Sequence, residues 1–384
     1  LKTLTIRKVK PPLIPNSWDE ERLYFDGDVF FAELTRAIDG ARIAVELETY
    51  IFDSDTIGEK IETALARATS RGIKTRLLVD GIGSLTWINS RLERLAKTGV
   101  EIRVFHPVHY FPFGRAWSRL SRLNRRTHRK MCLIDDSTAL VGSLNISASH
   151  SFMIRGQDAW HDTATRVSGA GVKDLKMAFE YAWRRSRLPD GSRHWMESLQ
   201  LIATWRLRSQ LVRLNFTNRI RRRNFRAFIK KIRSARSRIY ITNAYLSPSR
   251  PVISALNRAA RRGVDVRILV PRKSDVFFMP WVATSYYPRF LKSGVRIYEF
   301  LPRFLHAKSV IIDDWAAVGT SNLNRRSLLH DLEVDVVLSH PASIEELKNK
   351  FEENLSSAEE IRRARGGLTA WLGRLVTLLF RYWI

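Results

Sequence analysis

The chain has 384 residues and a net charge of +27, from 65 Lys and Arg against 38 Asp and Glu. That excess predicts attraction to polyanions, either nucleic acid or an anionic lipid surface, while an apolar fraction of 45% leaves room for a sizeable core. The single cysteine, Cys132, excludes an intrachain disulfide, fits a reducing compartment and reads as a packed thiol inside an apolar run.

The N-terminal LKTLTIRKVKPPLIP lacks the apolar block of a secretory signal, and the chain starts at Leu1 rather than Met, which leaves room for a preceding segment. From residue 41 onward the sequence runs through a unit that returns in the second half. ARIAVELETYIF (41–52) parallels SRIYITNAYLSP (237–248), and ARATSRGIKTRLLVD (66–80) parallels NRAARRGVDVRILVP (257–271). TGVEIRVFHP (98–107) parallels SGVRIYEFLP (293–302). Each copy reads as strand, helix, Arg-Gly turn, strand, helix, strand. This alternation predicts α/β layers with much parallel pairing.

Each copy then carries a His-x-Lys-x4-Asp motif: His128, Lys130 and Asp135, and again His306, Lys308 and Asp313. Gly142-Ser143-x-Asn145 follows the first and Gly319-Thr320-x-Asn322 the second. MCLIDDSTALVGS and SVIIDDWAAVGT both read as strand, tight turn, strand, with the Asp-Asp pair at the turn. Residues two apart on a strand share a face, so the His and Lys of one motif reach the same phosphate. A phosphodiester is a poor electrophile, and exchange through a covalent intermediate divides the barrier. One imidazole attacks while the other protonates the leaving oxygen; an unperturbed pKa of about 6.5 allows both forms near neutrality. The two lysines neutralise the non-bridging oxygens, and Ser143, Asn145, Thr320 and Asn322 are expected to bind the phosphate. This scheme requires no metal and no cofactor.

Imidazoles doing acid/base work take an orienting carboxylate. The segment Trp160-His161-Asp162 lines up with Leu332-Glu333, so Asp162 is expected to orient His128, and Glu333 to orient His306. Asp135 and Asp313 are expected to brace their turns. One irregularity matters: six residues separate Asp135 from Gly142, but five separate Asp313 from Gly319. Unless the second turn is one residue tighter, the next strand reverses its facing and Asn322 misses the phosphate.

The turn-rich Leu188-Pro-Asp-Gly-Ser192 marks a boundary between halves spanning 1–195 and 196–360. The Arg-rich stretch 205–238, interleaved with Trp205, Phe216, Phe225 and Phe228, reads as a lipid-facing basic surface; a solvated helix face is the plainer alternative. Tyr110-Phe-Pro-Phe113 with Trp117, and Phe277-Phe-Met-Pro-Trp281, suggest insertion among acyl chains, with burial in the core as the alternative. In the C-terminal segment 361–384, Trp371, Leu372, Leu375, Val376, Leu379, Phe380 and Trp383 recur at helical spacing around Arg374 and Arg381. That pattern suits an amphipathic helix in the membrane interface, or one docked on the protein. No apolar run approaches the roughly 20 residues of a spanning helix.

On these motifs the chain resembles the phospholipase D superfamily and, within it, bacterial cardiolipin synthases of the short B-type. The likeness runs over about residues 20 to 360 and is carried also by Glu48-Thr-Tyr-Ile-Phe52, Asp80-Gly-Ile-Gly-Ser84, Asn243-Ala-Tyr-Leu-Ser-Pro248, Gly294-Val-Arg-Ile-Tyr-Glu299 and Asn322-Leu-Asn-Arg-Arg-Ser327. The resemblance implies two similar α/β sandwich lobes related by a pseudo-two-fold axis, with one active site between them. It implies a phosphohistidine intermediate, with His128 as nucleophile and His306 as acid and then base. The implied reaction moves a phosphatidyl group from phosphatidylglycerol, or another phospholipid, to phosphatidylglycerol, giving cardiolipin. Implied partners are anionic phospholipids and a membrane surface, with no nucleic acid. The implied location is peripheral, on the cytoplasmic face of a bacterial inner membrane. A nuclease, a lipid hydrolase or a headgroup-exchange enzyme with the same catalytic residues is the rival reading.

Overall fold

Each copy of the repeat folds into its own mixed sheet. The computed structural model describes residues 17–107, 125–186, 210–363, 373 and 376. Its first sheet comprises β1 (Glu20–Tyr24), β2 (Ala44–Thr49), β3 (Lys74–Asp80), β4 (Glu101–Phe105), β5 (Met131–Ile134), β6 (Thr138–Gly142) and β7 (Ala164–Ser168), in the order β1-β7-β6-β5-β2-β3-β4. The second comprises β8 (Val212–Leu214), β9 (Arg238–Thr242), β10 (Asp265–Pro271), β11 (Arg296–Phe300), β12 (Ser309–Ile312), β13 (Trp315–Gly319), β14 (Val334–Leu338) and β15 (Ala358–Ile361). Its order, β8-β14-β13-β12-β9-β10-β11-β15, is the same succession with one edge strand added.

The parallel pairs are β2–β3–β4 and β9–β10–β11, and crossover helices join β2 to β3 and β9 to β10. The helix Thr56–Ser70 starts where the Asp55 side chain accepts from the Ile57 and Gly58 amides, and it buries Ile57, Ile61, Ala64, Leu65 and Ala68 on one stripe. Its counterpart Arg250–Arg261 buries Val252, Ile253, Ala255, Leu256 and Ala259. The arginines of the second helix are exposed, whereas Glu62 of the first is buried and accepts from Trp87 Nε1.

The sheets meet along β6–β7 and β13–β14. Met131, Val141 and Val167 of the first lobe share one apolar cluster with Val212, Leu214, Leu332, Val334 and Val336 of the second. The backbones also interlock. His128 N–H donates to Leu332 O (2.9 Å), Leu332 N–H to Arg126 O (2.9 Å), His161 N–H to Phe304 O (2.8 Å) and His306 N–H to His161 O (2.8 Å). Each segment carrying a motif histidine is thus held by the opposite lobe.

The missing residue in the second motif is removed wholly within its turn. Asp135-Asp136-Ser137 joins β5 to β6, whereas Asp313-Asp314 alone joins β12 to β13. Beyond the turns the register is the same, with Gly142 N–H on Lys130 O and Gly319 N–H on Lys308 O. Asp135 and Asp313 take left-handed backbone (φ 52° at both), which Asp tolerates better than most residues. The Asp135 carboxylate accepts from the Arg42, Ile43 and Ala44 amides, and that of Asp313 from the Arg236, Ser237 and Arg238 amides. These two aspartates tie hairpin to sheet, away from the seam.

In the helix Asn218–Ser234 the basic side chains Arg219, Arg222, Arg223 and Arg226 are exposed, while Phe228 is buried; Phe216 ahead of it is buried too. Of the aromatics expected on a lipid-facing surface there, Phe216 and Phe228 belong to the core. Leu188–Ser192, Trp205, Tyr110–Phe113 and Trp117 lie outside the described residues. Of the C-terminal segment, Val376 packs beside Met279 and Val282. Among the described residues no helix is long and apolar enough to cross a membrane.

Although burial works against it, the amides around Asp313 draw its carboxyl down to about 2. Its stabilising contribution is therefore complete above the unfolded value near 3.8 and disappears as pH falls through about 2. At neutral pH Asp313→Ala, which strands three amides and strains the left-handed backbone, should cost about 1–3 kcal/mol in urea unfolding. Asp313→Asn, which tolerates that backbone, should cost less. Equal midpoints for all three proteins would remove this bracing role.

Candidate active site

The interlocked backbones decide which carboxylate orients which ring. His128 Nδ1 lies 3.1 Å from each Glu333 carboxylate oxygen, and His306 Nδ1 lies 2.8 Å from Asp162 Oδ1. The pairing is crossed. The sequence alignment led to Asp162 for His128 and Glu333 for His306, and the structure overturns both assignments. The repeat puts a carboxylate beside β7 and another beside β14, but pseudo-two-fold packing delivers each to the other lobe's histidine.

Ser143 and Thr320 also differ from expectation. Ser143 Oγ donates to Asp162 Oδ1 (2.7 Å) and Thr320 Oγ1 to Glu333 Oε2, and both side chains are fully buried. Their hydroxyls hold the carboxylates instead of facing a phosphate. His150 and Ser327, five residues past Asn145 and Asn322, complete the two cradles. His150 Nε2 accepts from the Asn145 amide (3.1 Å) and its Nδ1 lies 2.6 Å from Asp162 Oδ2. Ser327 Oγ accepts from the Asn322 amide (2.9 Å) and donates to Glu333 Oε1.

Lys130 Nζ donates to His128 O (2.8 Å) and Lys308 Nζ to His306 O (2.6 Å). The two ammonium groups lie 5.4 Å from the Tyr50 ring centre and 6.0 Å from that of Tyr245, respectively. Those tyrosines also pack edge-on against His128 and His306. Both histidines line one cavity of about 410 Å³, with Asn145 and Asn322 in its wall. Trp160, Val276, Phe278 and Met279 form its apolar side, and Asn324, Arg326 and Asp331 a polar side. Of the aromatic loop read as membrane-inserting, Phe277 is 75% exposed, while Phe278 and Met279 face this cavity.

Burial sets the charge states. It drives both His128 and His306 well below the ordinary imidazole value, with nearby lysines adding to the effect, so both rings are neutral at rest. Lys130 falls to about 7 through burial and then the Lys308 charge, and Lys308 falls to about 8 through burial. Burial pushes the Glu333 carboxyl up to about 7. For Asp162 burial acts in the same direction, but His150 and His306 reverse it and hold the group well below the usual carboxylate range. Lys130 and Lys308 therefore titrate close to neutral pH, where an entering anion favours their charged forms.

His150, Asp162 and His306 each place a ligand atom within 4.8 Å of the others, a spacing that a metal ion could span. In the protein the His–Asp contacts among these atoms are hydrogen bonds. Tyr50, Tyr245, His150, Ser327, Trp160, Arg326 and Asp331 were not singled out as site residues from the sequence. The repeat itself held a signal for one pair, His150 and Ser327, at a fixed offset from the motif asparagines; Tyr50 and Tyr245 stand at different positions in the repeat and become equivalent only by packing on His128 and His306.

If the pairing is crossed, Glu333→Gln should displace the ring nitrogen resonances of His128 and leave those of His306 in place. Asp162→Asn should do the reverse. NMR of the full chain with labelled histidine reads this directly, and the opposite pattern would restore within-lobe pairing.

The family model described as "Cardiolipin synthase, PLD-like domain" matches residues 34–168 and 228–355, once in each lobe. The chain is 32% identical over 372 residues to a cardiolipin synthase of Halalkalibacterium halodurans, covering 91% of this chain and 69% of that one. It is 34% identical over 330 residues to cardiolipin synthase B of Salmonella typhimurium, covering 83% and 76%. A solved phosphatidylserine synthase of Haemophilus influenzae shares the fold, with a TM-score of 0.69 over 96% of both chains at 11% identity. Since one model fits both lobes and the identity to curated relatives extends across most of the sequence, the chain belongs to the PLD-like domain family of cardiolipin synthases.

Proposed function

We propose that this protein is a cardiolipin synthase that transfers a phosphatidyl group between two phosphatidylglycerol molecules through a phosphohistidine. The observation that carries the reading is the single cavity lined by both imidazoles, each with its Nδ1 fixed by a carboxylate from the opposite lobe. Fixing Nδ1–H leaves Nε2 as the free nitrogen that faces substrate. The apolar wall of Trp160, Val276, Phe278 and Met279 suits lipid rather than a nucleic-acid backbone.

In the first step the entering anionic phosphodiester lets His306 take a proton from solvent at Nε2; Nε2 of neutral His128 then attacks phosphorus, the bond to the glycerol oxygen breaks, and His306 delivers that proton to the oxygen. In the second, the acceptor's hydroxyl gives its proton to His306, its oxygen attacks phosphorus, and the phosphorus–nitrogen bond breaks. The carboxylates support this division of roles. Asp162 remains ionised and stabilises an imidazolium on His306 once an anionic phosphate has entered. Glu333, near 7, pulls a proton onto His128 less strongly, which keeps that ring nucleophilic. Lys130 and Lys308 neutralise the non-bridging oxygens, with Asn145 and Asn322 donating beside them. The exposed arginines of Asn218–Ser234 and Phe277 beside the cavity support docking on an anionic membrane surface.

Incubation with labelled phosphatidylglycerol alone should yield cardiolipin and glycerol, and His128→Ala should abolish turnover while vesicle binding persists. Phosphatidic acid instead would indicate a hydrolase, and cleavage of DNA or RNA without lipid turnover a nuclease. A chelator should leave the rate unchanged; strong inhibition would contradict a mechanism resting on imidazoles alone. The pH profile follows from the lysines and histidines. KM should rise as pH rises through about 7 to 8, where Lys130 and Lys308 lose their protons, while His128 loses its nucleophilic form only well below 6.5. A profile flat to pH 9 would remove the lysines from substrate charge neutralisation.

A further inference from the structure

The lobes duplicate His128 and His306, Lys130 and Lys308, and Asn145 and Asn322, with Tyr50 and Tyr245 packed equivalently beside each histidine and lysine. Besides His150 against Ser327 behind the carboxylates, two positions in the cavity wall break the duplication. Four residues past Asn322 stands Arg326, where the first lobe has Ser149. Two residues before Glu333 stands Asp331, where the first lobe has Trp160. The wall beside His306 is therefore an indole, its ring centre 4.9 Å from the imidazole. The wall near His128 is an ion pair, Arg326 Nε to Asp331 Oδ2 at 2.9 Å.

This pair is held from behind and open in front. Asp331 also accepts from the Arg126 amide at 3.0 Å, and Arg126 is itself paired with buried Asp80. Both Arg326 and Asp331 line the cavity, and the Arg326 side chain is 26% exposed. Only its Nε has an acceptor; among the described residues its two terminal nitrogens have none. A guanidinium with Nε anchored and its outer edge free presents the fork that binds a phosphate.

We propose that Arg326 selects the acceptor lipid by binding the acceptor's own phosphate, with Asp331 positioning the side chain. This rests on the transferase reading above. The reacting phosphorus lies between the two rings, where every group has a twin. The second lipid brings another phosphodiester, separated from its attacking hydroxyl by the glycerol carbons. Two like charges in one partly buried cavity repel, and a cation off the pseudo-axis relieves this at one place only. Trp160 leaves the opposite side without a matching cation. The asymmetry thus gives donor and acceptor different seats in a site whose chemistry is symmetric.

The test compares two acceptors with one donor. Wild type, Arg326→Gln and Arg326→Lys of the full chain are given phosphatidylglycerol vesicles, and cardiolipin is measured. The same proteins are given ethanol as acceptor, which carries no phosphate, and phosphatidylethanol is measured. Arg326→Gln should raise the phosphatidylglycerol concentration needed for cardiolipin synthesis about tenfold or more, the loss of one charge-assisted contact. Phosphatidylethanol formation should change less than about twofold, and Arg326→Lys should lie between wild type and Arg326→Gln. Equal losses with both acceptors would place Arg326 at the reacting phosphate, or in the fold, and overturn the assignment. No loss with either would overturn it too. A wild-type chain forming neither product would end the transferase reading, and this assignment with it.

Discussion

Asp162 and Glu333 each reach across the seam to hold the other lobe's histidine, and the site depends on that crossing. A histidine paired within its own lobe would need no partner lobe to fix its tautomer. Here neither ring is oriented until the two sheets have packed together and the segments at 126–128 and 304–307 have bonded to 332 and 161. Folding of the seam and assembly of the chemistry are one event. The apolar cluster shared by β6–β7 and β13–β14 supplies the driving force, and the interlocked backbone bonds supply the register.

The electrostatics follow from the same burial. Four charged or chargeable groups, two lysines and two carboxylates, are taken out of water around two neutral rings. Placed singly, such groups would be costly to bury. Here each is bonded: the lysines to backbone carbonyls, the carboxylates to hydroxyls and imidazoles. The lysines and carboxylates offset one another, and the cavity wall itself carries Arg326 beside Asp275, Asp331 and Glu333.

Pseudo-symmetry shapes the site, and departures from it give the two halves different tasks. His150 against Ser327 makes Asp162 a stronger anion than Glu333. Trp160 against Asp331 makes one wall apolar and the other ionic. A duplicated motif yields two equivalent imidazoles; these unduplicated neighbours distinguish the one that attacks from the one that carries the proton, and the first lipid from the second.

The repeat, its strand and helix alternation, and the His, Lys and Asn positions were legible because each is a local pattern: periodicity, turn chemistry and fixed spacing act within a few residues. The bracing role of Asp135 and Asp313 followed from their place in the turns, and the shorter second hairpin could be located but not resolved. The carboxylate pairing was not legible, since a repeat aligns residues within each copy and says nothing of which copy packs against which. For the same reason Ser143 and Thr320 looked like phosphate ligands until Asp162 and Glu333 were found beside them, and the aromatics at 216 and 228 looked lipid-facing until they were found in the core. The sequence alone determined which side chains are duplicated and on what elements they stand. The tertiary structure decided which of them meet, because the pseudo-two-fold axis joins residues more than 140 positions apart by geometry that no local spacing encodes.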